Sequence, residues 1–402
     1  MLDLSIVIVS YHVKDYLEKC LGSIYSNTEH LHFEILVVDN CSQDGSPEMV
    51  KRLYPEVRLI ENGTNQGFSK ANNQAIAQSK GRYILLLNPD TEIFAEALEK
   101  MVAYMDSHPS VGALGARTWS DPDKTFQWGD DKALTPAMLL YEFTFLGTLF
   151  QNNAVFQHNW QQDWRVFLGT APHTVETING HCQLIRRQTL HDVGLLDEAF
   201  FRYFSDLDWC MRARGKGWDL ALLPEAEIIH YIGRSPLDTE AGKIFLAELK
   251  IYLNKHFGKM ISYPLLAAMA LNRLLAKATR PIGRGLNRII RLFLPASRQP
   301  MLFDSPSNMI LAWPESAAFQ SYLLELSTSP LFLYKGAVRV KETCFTLPES
   351  FFYEWPDGDY YWRIIPLHDM DLKEGKSKIR KHQIAGGFTG TFQKKGGDLP
   401  AA

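Results

Sequence analysis

The side chains best suited to chemistry sit in short polar runs, each directly after an apolar run. Ser10-Tyr11-His12 follows LSIVIV, Asp39-Asn40-Cys41-Ser42-Gln43-Asp44-Gly45-Ser46 follows FEILVV, and Asn88-Pro89-Asp90 follows RYILLL. Groups of this kind can gather around a polar or charged ligand, and each run taken singly also has the chemistry of a turn or a helix cap. Asp206 and Asp208 open an amphipathic stretch in FFRYFSDLDWCMRARGKGW, where an acid can carry a proton or simply favour a helix N-terminus. His230 ends the strand-like EIIH. Neither GxGxxG nor GxxxxGK[ST] occurs, so a dinucleotide fingerprint and a P-loop are both excluded as explanations.

The elements that must position these groups alternate between two periods. LSIVIVS, FEILVVD and RYILLLN are continuous apolar runs, which predicts strands buried on both faces, with VRLIEN a shorter one. Residues 13–26, 47–53, 68–79 and 92–106 carry helical spacing, and 111–117 reads as a further strand. Repeated β-α-β-α predicts an α/β fold with a mostly parallel sheet covered by helices. Ligands of such sheets lie beyond the carboxyl ends of the strands, where the polar runs fall.

Length and composition set the outer bounds. A chain of 402 residues has room for two or three domains, and 46% hydrophobic with 22% charged residues is ordinary globular composition. A net charge of −3 argues against a general nucleic-acid binder. The five cysteines (Cys20, Cys41, Cys182, Cys210, Cys344) are odd in number, widely spaced and without a CxxC pair, so free thiols in a reducing compartment are expected. The N-terminus reads as a first strand and not a signal peptide, and no apolar run is long enough to span a membrane.

SIVIVSYHVKDYLEKCLGSI, VVDNCSQDGS, NQGFSKANNQAI and LLLNPDTE, in that order, resemble the nucleotide-sugar half of family 2 glycosyltransferases, which have the GT-A fold. The nearest likeness is to a bacterial rhamnosyltransferase-like branch. It continues through GHCQLIRRQTLHDVGLLDEAF and IIHYIGRS, so that it covers about Leu4 to Gly258. The resemblance implies an inverting transfer from a dTDP- or UDP-linked sugar to a glycan or lipid-linked hydroxyl. It implies Mg²⁺ or Mn²⁺ at Asp90 and His230, because a departing diphosphate gathers charge. Donor contacts are expected from Ser10, Tyr11, Asp39, Asn65, Gly67, Asn72, Asn88 and Arg234, with Ser235 beside the phosphates. Asp206 takes the place of the general base, and Asp208, Arg212, Gly180 and His181 that of acceptor or loop support. Two positions depart from the family pattern: Asn88 stands where an acid is usual, and Ser205 where a Glu is usual.

Beyond the likeness the chain changes character. No acid occurs between Glu248 and Asp304, and the basic residues Arg273, Lys277, Arg280, Arg284, Arg288 and Arg291 recur at helical spacing. A basic amphipathic helix of this kind suits the anionic surface of a membrane, here the inner face of the cytoplasmic membrane. It equally suits packing on the catalytic domain with a solvated basic face. The last hundred residues carry short alternating runs broken by Pro, Gly and Ser, which predicts a small β-sandwich. ILAWPES, YLLELSTSP and YYWRIIPL resemble a fibronectin type III-like domain. The expected domains are therefore 1–258, 259–299 and 300–402. The rival reading is a catalytically silent sugar-binding or scaffold protein on the same fold. A nucleotidyltransferase would carry a glycine-rich N-terminal signature that this chain lacks.

Overall fold

The structure, a computed structural model, describes residues 2–129, 133–142, 165–167, 169–231, 241–271 and 274, and then 301–303, 310–312, 321–327, 335–342, 344–347, 358–367 and 389–394. They belong to two compact units. The first comprises Met1–Pro122, Asp131–Leu134 and Gly169–Gly258; the second comprises Asp123–Asp130, Thr135–Leu168 and Lys259–Ala402. The expected first domain ran unbroken from 1 to 258; two segments inside that range fall in the second unit. Phe126 gives a physical reason, since its ring is fully buried in the second unit's apolar core.

The elements of the first unit are numbered here within that unit. Its strands are β1 (Leu4–Ser10), β2 (Phe33–Asp39), β3 (Arg58–Glu61), β4 (Tyr83–Leu87), β5 (Thr91–Ile93), β6 (Val111–Trp119), β7 (His173–Thr174), β8 (Cys182–Arg186) and β9 (Asp219–His230). Its helices are α1 (Lys14–Asn27), α2 (Ser46–Leu53), α3 (Phe68–Ile76), α4 (Ala97–Ser107), α5 (Arg187–Val193), α6 (Ser205–Gly215) and α7 (Ala241–Phe257). The sheet runs β3-β2-β1-β4-β8-β6-β9. The first four strands are parallel, β8 is antiparallel to both its neighbours, and β9 is parallel to β6. This is the mixed sheet of a GT-A type fold.

Period-2 alternation on β1 explains the two helical layers. Ile6 and Ile8 are fully buried in a core with Leu17, Leu21 and Ile24 of α1 and Met101 of α4. Val7 points the other way, into a core with Ala71 and Ala75 of α3 and Trp209 and Ala213 of α6. Burying Ile6, Val7 or Ile8 contributes about 1.5–3 kcal/mol each. Truncating Ile6 to Ala would remove that and leave a cavity, at a cost of about 2–5 kcal/mol.

One expected element differs. The helix expected at 92–106 begins only at Ala97, and Thr91–Ile93 is a strand paired antiparallel with Ile228–His230. Ile93 is 3% exposed, so the strand seals the sheet's end before the chain turns into α4. Asp90 is thus not a helix cap. In β9 the register with β6 shifts between Leu223 and Glu227. Pro224 lies in that interval and has no N–H to give the ladder.

In the second unit, strands at Met301–Phe303, Thr389–Lys394, Gly358–Leu367, Ser321–Ser327 and Lys335–Val340 form one sheet in that order. Ile310–Ala312 pairs with Cys344–Thr346 in a second. Both contribute to one core: Leu311, Tyr322, Leu324, Leu326, Trp362 and Ile364 are buried together with Phe126. The basic residues from Arg273 to Arg291 lie outside the described residues, as do Arg234 and Ser235.

Candidate active site

Register brings the first two polar runs together. Ser10 and Asp39 are the last residues of β1 and β2 and are direct partners in the parallel ladder. Both are buried, and Ser10 Oγ and Asp39 Oδ1 have no hydrogen-bond partner among the described residues. Buried polar atoms are nearly always paired, so two orphans side by side at a sheet edge mark a place for a polar ligand. The other carboxylate oxygen of Asp39 accepts from the Ser42 amide at 2.8 Å. Ser42 Oγ accepts from the His12 amide at 2.9 Å, which ties the two loops to each other. His12 and Cys41 both adopt left-handed φ, at 54° and 69°, and turn the chain sharply at the strand ends. Tyr11 lies against the His12 ring, with centroids 4.3 Å apart.

The loop before α3 joins this edge through a side chain of the second polar run that carried no assigned role in the sequence. Asn40 is 2% exposed; its Nδ2 donates to the Gly67 carbonyl at 3.2 Å, and its Oδ1 accepts from Asn62 at 3.0 Å. Asn65 Oδ1 accepts from the Gly67 amide at 2.9 Å. Gly67 has φ +79°, and a Cβ there would lie 2.5 Å from the Phe201 ring and 2.6 Å from its carbonyl oxygen. Only glycine fits that position. Asn72 is buried and directs its amide to the Phe68 carbonyl of its own helix, at 2.9 Å.

Asn88, Asp90 and His230 converge at the end of β4. Asn88 Nδ2 and Asp90 Oδ1 each lie 3.3 Å from His230 Nε2, while His230 Nδ1 is buried without a hydrogen-bond partner among the described residues. Burial pushes the Asp90 carboxyl up, but the His230 charge and hydrogen bond outweigh it and hold the group below its ordinary value. The His181 ring stacks on His230 with centroids 4.5 Å apart, and its Nε2 is 2.9 Å from Thr118 Oγ1. Burial first, and then the neighbouring His230, hold His181 well below the usual histidine value. Its carbonyl accepts from the Asn88 amide at 3.0 Å, which closes the cluster.

Gly180, the residue before His181, connects this cluster to Asp206. The Gly180 amide donates to Asp206 Oδ2 at 2.8 Å, and Leu207 N donates to Oδ1 at 2.9 Å. Burial raises the Asp206 carboxyl above its ordinary value despite those two bonds. A carboxylate held by two backbone amides, with its pKa above the ordinary value, is a better proton acceptor than a free aspartate.

Asp208 and Arg212 lie elsewhere. Asp208 has no exposed surface, and it takes Arg212 Nε at 2.9 Å, Lys255 Nζ at 2.7 Å and His256 Nε2 at 2.8 Å. Burial raises its carboxyl, but bonds from His256, Lys255 and Arg212 outweigh it and bring the pKa down to about 2. Arg212 also donates to the carbonyls of Val193 and Leu195. The pair therefore ties α6 to α7 and to the 193–197 loop. Glu248 of α7, likewise not singled out in the sequence, accepts from the amides of Phe201 and Tyr203 at 2.7 and 2.6 Å. A buried acid whose partners are backbone amides leaves no spacing pattern in a sequence.

Residues 5–194 match the model of Glycosyl transferase family 2. Over that segment the chain is family 2-like, and the protein is a glycosyltransferase. The N-acetylglucosaminyl-diphospho-decaprenol L-rhamnosyltransferase of Mycobacterium tuberculosis is 29% identical over 266 residues, which cover 61% of this chain and 84% of that protein. The low-salt glycan biosynthesis hexosyltransferase of Haloferax volcanii is 24% identical over 63% of this chain and 73% of its own. Among solved structures, a mannosyltransferase from Pyrobaculum calidifontis in complex with GDP-Man and Mn²⁺ aligns with a TM-score of 0.43 and 17% identity, over 74% of this chain and 84% of that one.

Proposed function

We propose that the protein transfers a sugar, read as rhamnose, from a dTDP- or UDP-linked donor to a hydroxyl of a glycan or lipid-linked acceptor, in bacterial cell-surface polysaccharide assembly. The observation that carries this is the short run of contacts from Asp206 through the Gly180 amide and the stacked His181 ring to His230 and Asp90. It sets a proton acceptor and a cluster suited to a charged leaving group at neighbouring points of one sheet edge. The rhamnosyltransferase likeness over 84% of the mycobacterial protein supports the choice of sugar and of a lipid-linked acceptor.

In this reading Ser10, Tyr11 and Asp39 hold the donor's base and ribose, with the orphaned Ser10 Oγ and Asp39 Oδ1 as the contacting atoms. Asn65, Gly67, Asn72 and Arg234 line the diphosphate and sugar. The acceptor oxygen attacks the anomeric carbon from the side opposite the diphosphate; its proton passes to Asp206, the bond from that carbon to the diphosphate oxygen breaks, and configuration inverts. The buried carboxylate of Asp90, the His230 ring and the Asn88 amide suit a Mg²⁺ or Mn²⁺ that shares its coordination with substrate phosphates. Such an ion would neutralise charge on the leaving diphosphate. His181 and Gly180 form the wall facing the acceptor.

No described helix is long and apolar enough to cross a membrane. The basic stretch from Arg273 to Arg291 is proposed to hold the protein on the anionic inner face of the cytoplasmic membrane, near a lipid-linked acceptor. The strands of the second unit are read as fibronectin type III-like on their sequence runs. The test is a panel of nucleotide sugars with purified protein, with binding and transfer followed separately. Turnover of dTDP-rhamnose in preference to the others is expected. Binding without turnover of any donor would favour a silent sugar-binding protein instead.

A further inference from the structure

One helix holds the chain on both sides of Asp206. Along α7, Glu248, Tyr252, Lys255 and His256 share a face, at steps of four, three and one. Glu248 is 4% exposed, and its carboxylate accepts from three consecutive amides: Phe201 at 2.7 Å, Arg202 at 3.2 Å and Tyr203 at 2.6 Å. Tyr252 stacks on Phe204, with centroids 5.8 Å apart. Lys255 and His256 then bind Asp208 at 2.7 and 2.8 Å. Asp206 lies between these two anchorages.

The gripped loop is shaped to need holding. Phe204 has a left-handed φ of 64°, unusual for an aromatic residue, and it directly precedes α6. Phe201 packs where a Cβ on Gly67 would go, and its carbonyl accepts from the Phe68 amide. Loop 201–204 therefore touches the donor-side loop at one end and leads into Asp206 at the other. Three backbone donors on one buried carboxylate make charge-assisted bonds, about twice as strong as neutral ones.

We propose that Glu248 is a positioning residue for the transfer: by gathering the amides of 201–203 it fixes the start of α6 and thereby the place of the Asp206 carboxylate. This rests on the reading of Asp206 as the base. A Gln at 248 would keep one acceptor oxygen but turn an NH₂ group toward a backbone N–H; an Ala would leave all three donors bare.

The test compares Glu248→Gln, Glu248→Ala and Asp206→Asn in the full-length protein. Hydrogen exchange of the 201–203 amides is expected to be slow in the parent and at least tenfold faster in Glu248→Ala. Trypsin cleavage after Arg202 should accelerate in the same order, Ala over Gln over parent. In the transfer assay kcat should fall about tenfold for Gln and a hundredfold for Ala, with nucleoside diphosphate affinity within about twofold of the parent. Full kcat in both Glu248 variants, with Asp206→Asn inactive, would overturn the role of Glu248 and leave the base in place. Unchanged exchange at 201–203 in Glu248→Ala would overturn it without any activity measurement. An active Asp206→Asn would instead remove the base reading on which this rests. Equal loss of kcat and of nucleotide affinity would mean that Glu248 supports the fold generally, which also overturns the proposal.

Discussion

The Gly180 amide lies 2.8 Å from Asp206 Oδ2, and that one bond joins the two halves of the site. Gly180 leads directly into His181 and β8, whose partner β4 ends one residue before Asn88 and three before Asp90. Asp206 stands at the N-terminus of α6 on the opposite side. A Cβ on Gly180 would crowd the Phe68 ring at 3.1 Å and reach contact distance of Asp206 at 3.4 Å. Glycine lets strand, helix and carboxylate approach this closely.

Asp206→Asn is expected to abolish transfer while donor binding stays within about twofold, because the base acts on the acceptor. In the parent, the acid limb of the kcat profile should lie above the ordinary aspartate value of 3.8, since burial raises the folded-state pKa and the base works only when ionised. A kcat profile flat down to pH 4, or an active Asn variant, would remove Asp206 from this role.

Asp90→Ala should lose metal-dependent binding of the donor, seen as a loss of the calorimetric difference between Mg²⁺ and EDTA conditions. Its carboxylate is buried and held in the ionised form by His230, so it is ready to bind a cation at neutral pH. Activity that survives both the substitution and EDTA would mean that the reaction needs no metal.

Gly67→Ala should destabilise the protein by about 2–3 kcal/mol, read from the denaturant midpoint. The backbone conformation at φ 79° and ψ 174° is open almost only to glycine, and forcing another residue there costs on the order of 1–3 kcal/mol before any clash with Phe201. A midpoint equal to the parent's would show that the 65–68 loop yields freely.

Asp208 predicts the acid behaviour of the first unit. Its folded-state pKa of about 2 lies below the ordinary 3.8, so its contribution is fully present above about pH 4 and is lost as pH falls toward 2. The size is about 2 kcal/mol. Asp208→Asn should flatten that part of the stability profile and cost about 3 kcal/mol at neutral pH, since it leaves cations around an uncharged centre. An Asn variant with an unchanged acid profile would contradict this.

Neutralising Arg280, Arg284, Arg288 and Arg291 together should weaken co-sedimentation with anionic vesicles many-fold at low salt, while transfer to a soluble acceptor analogue persists. Each basic residue near an anionic surface contributes about 1 kcal/mol, and salt screens it. A parent protein that sediments with anionic vesicles at neither low nor high salt would make the stretch a packing helix.

The sequence by itself determined the strands, because LSIVIVS, FEILVVD and YILLL can bury both faces only in the middle of a covered sheet. It also placed Ser10 and Asp39 at strand ends and Asp90 just past one, since Ser10 and Asp39 directly follow their apolar runs and only Asn88 and Pro89 separate Asp90 from its own. Tertiary structure decided which of the remaining polar groups meet. Asp206 and Asp208 stand two residues apart on one helix, and nothing local separates them. One turns toward Gly180, and the other turns into a cage of Arg212, Lys255 and His256. The short strand at Thr91–Ile93 was likewise hidden, because its partner Ile228–His230 lies more than a hundred residues away. Asn40 and Glu248 act through backbone groups far off in the chain. Amide and carbonyl partners are the same at every residue, so no pattern of side chains announces them, and only the folded chain brings them within hydrogen-bond reach.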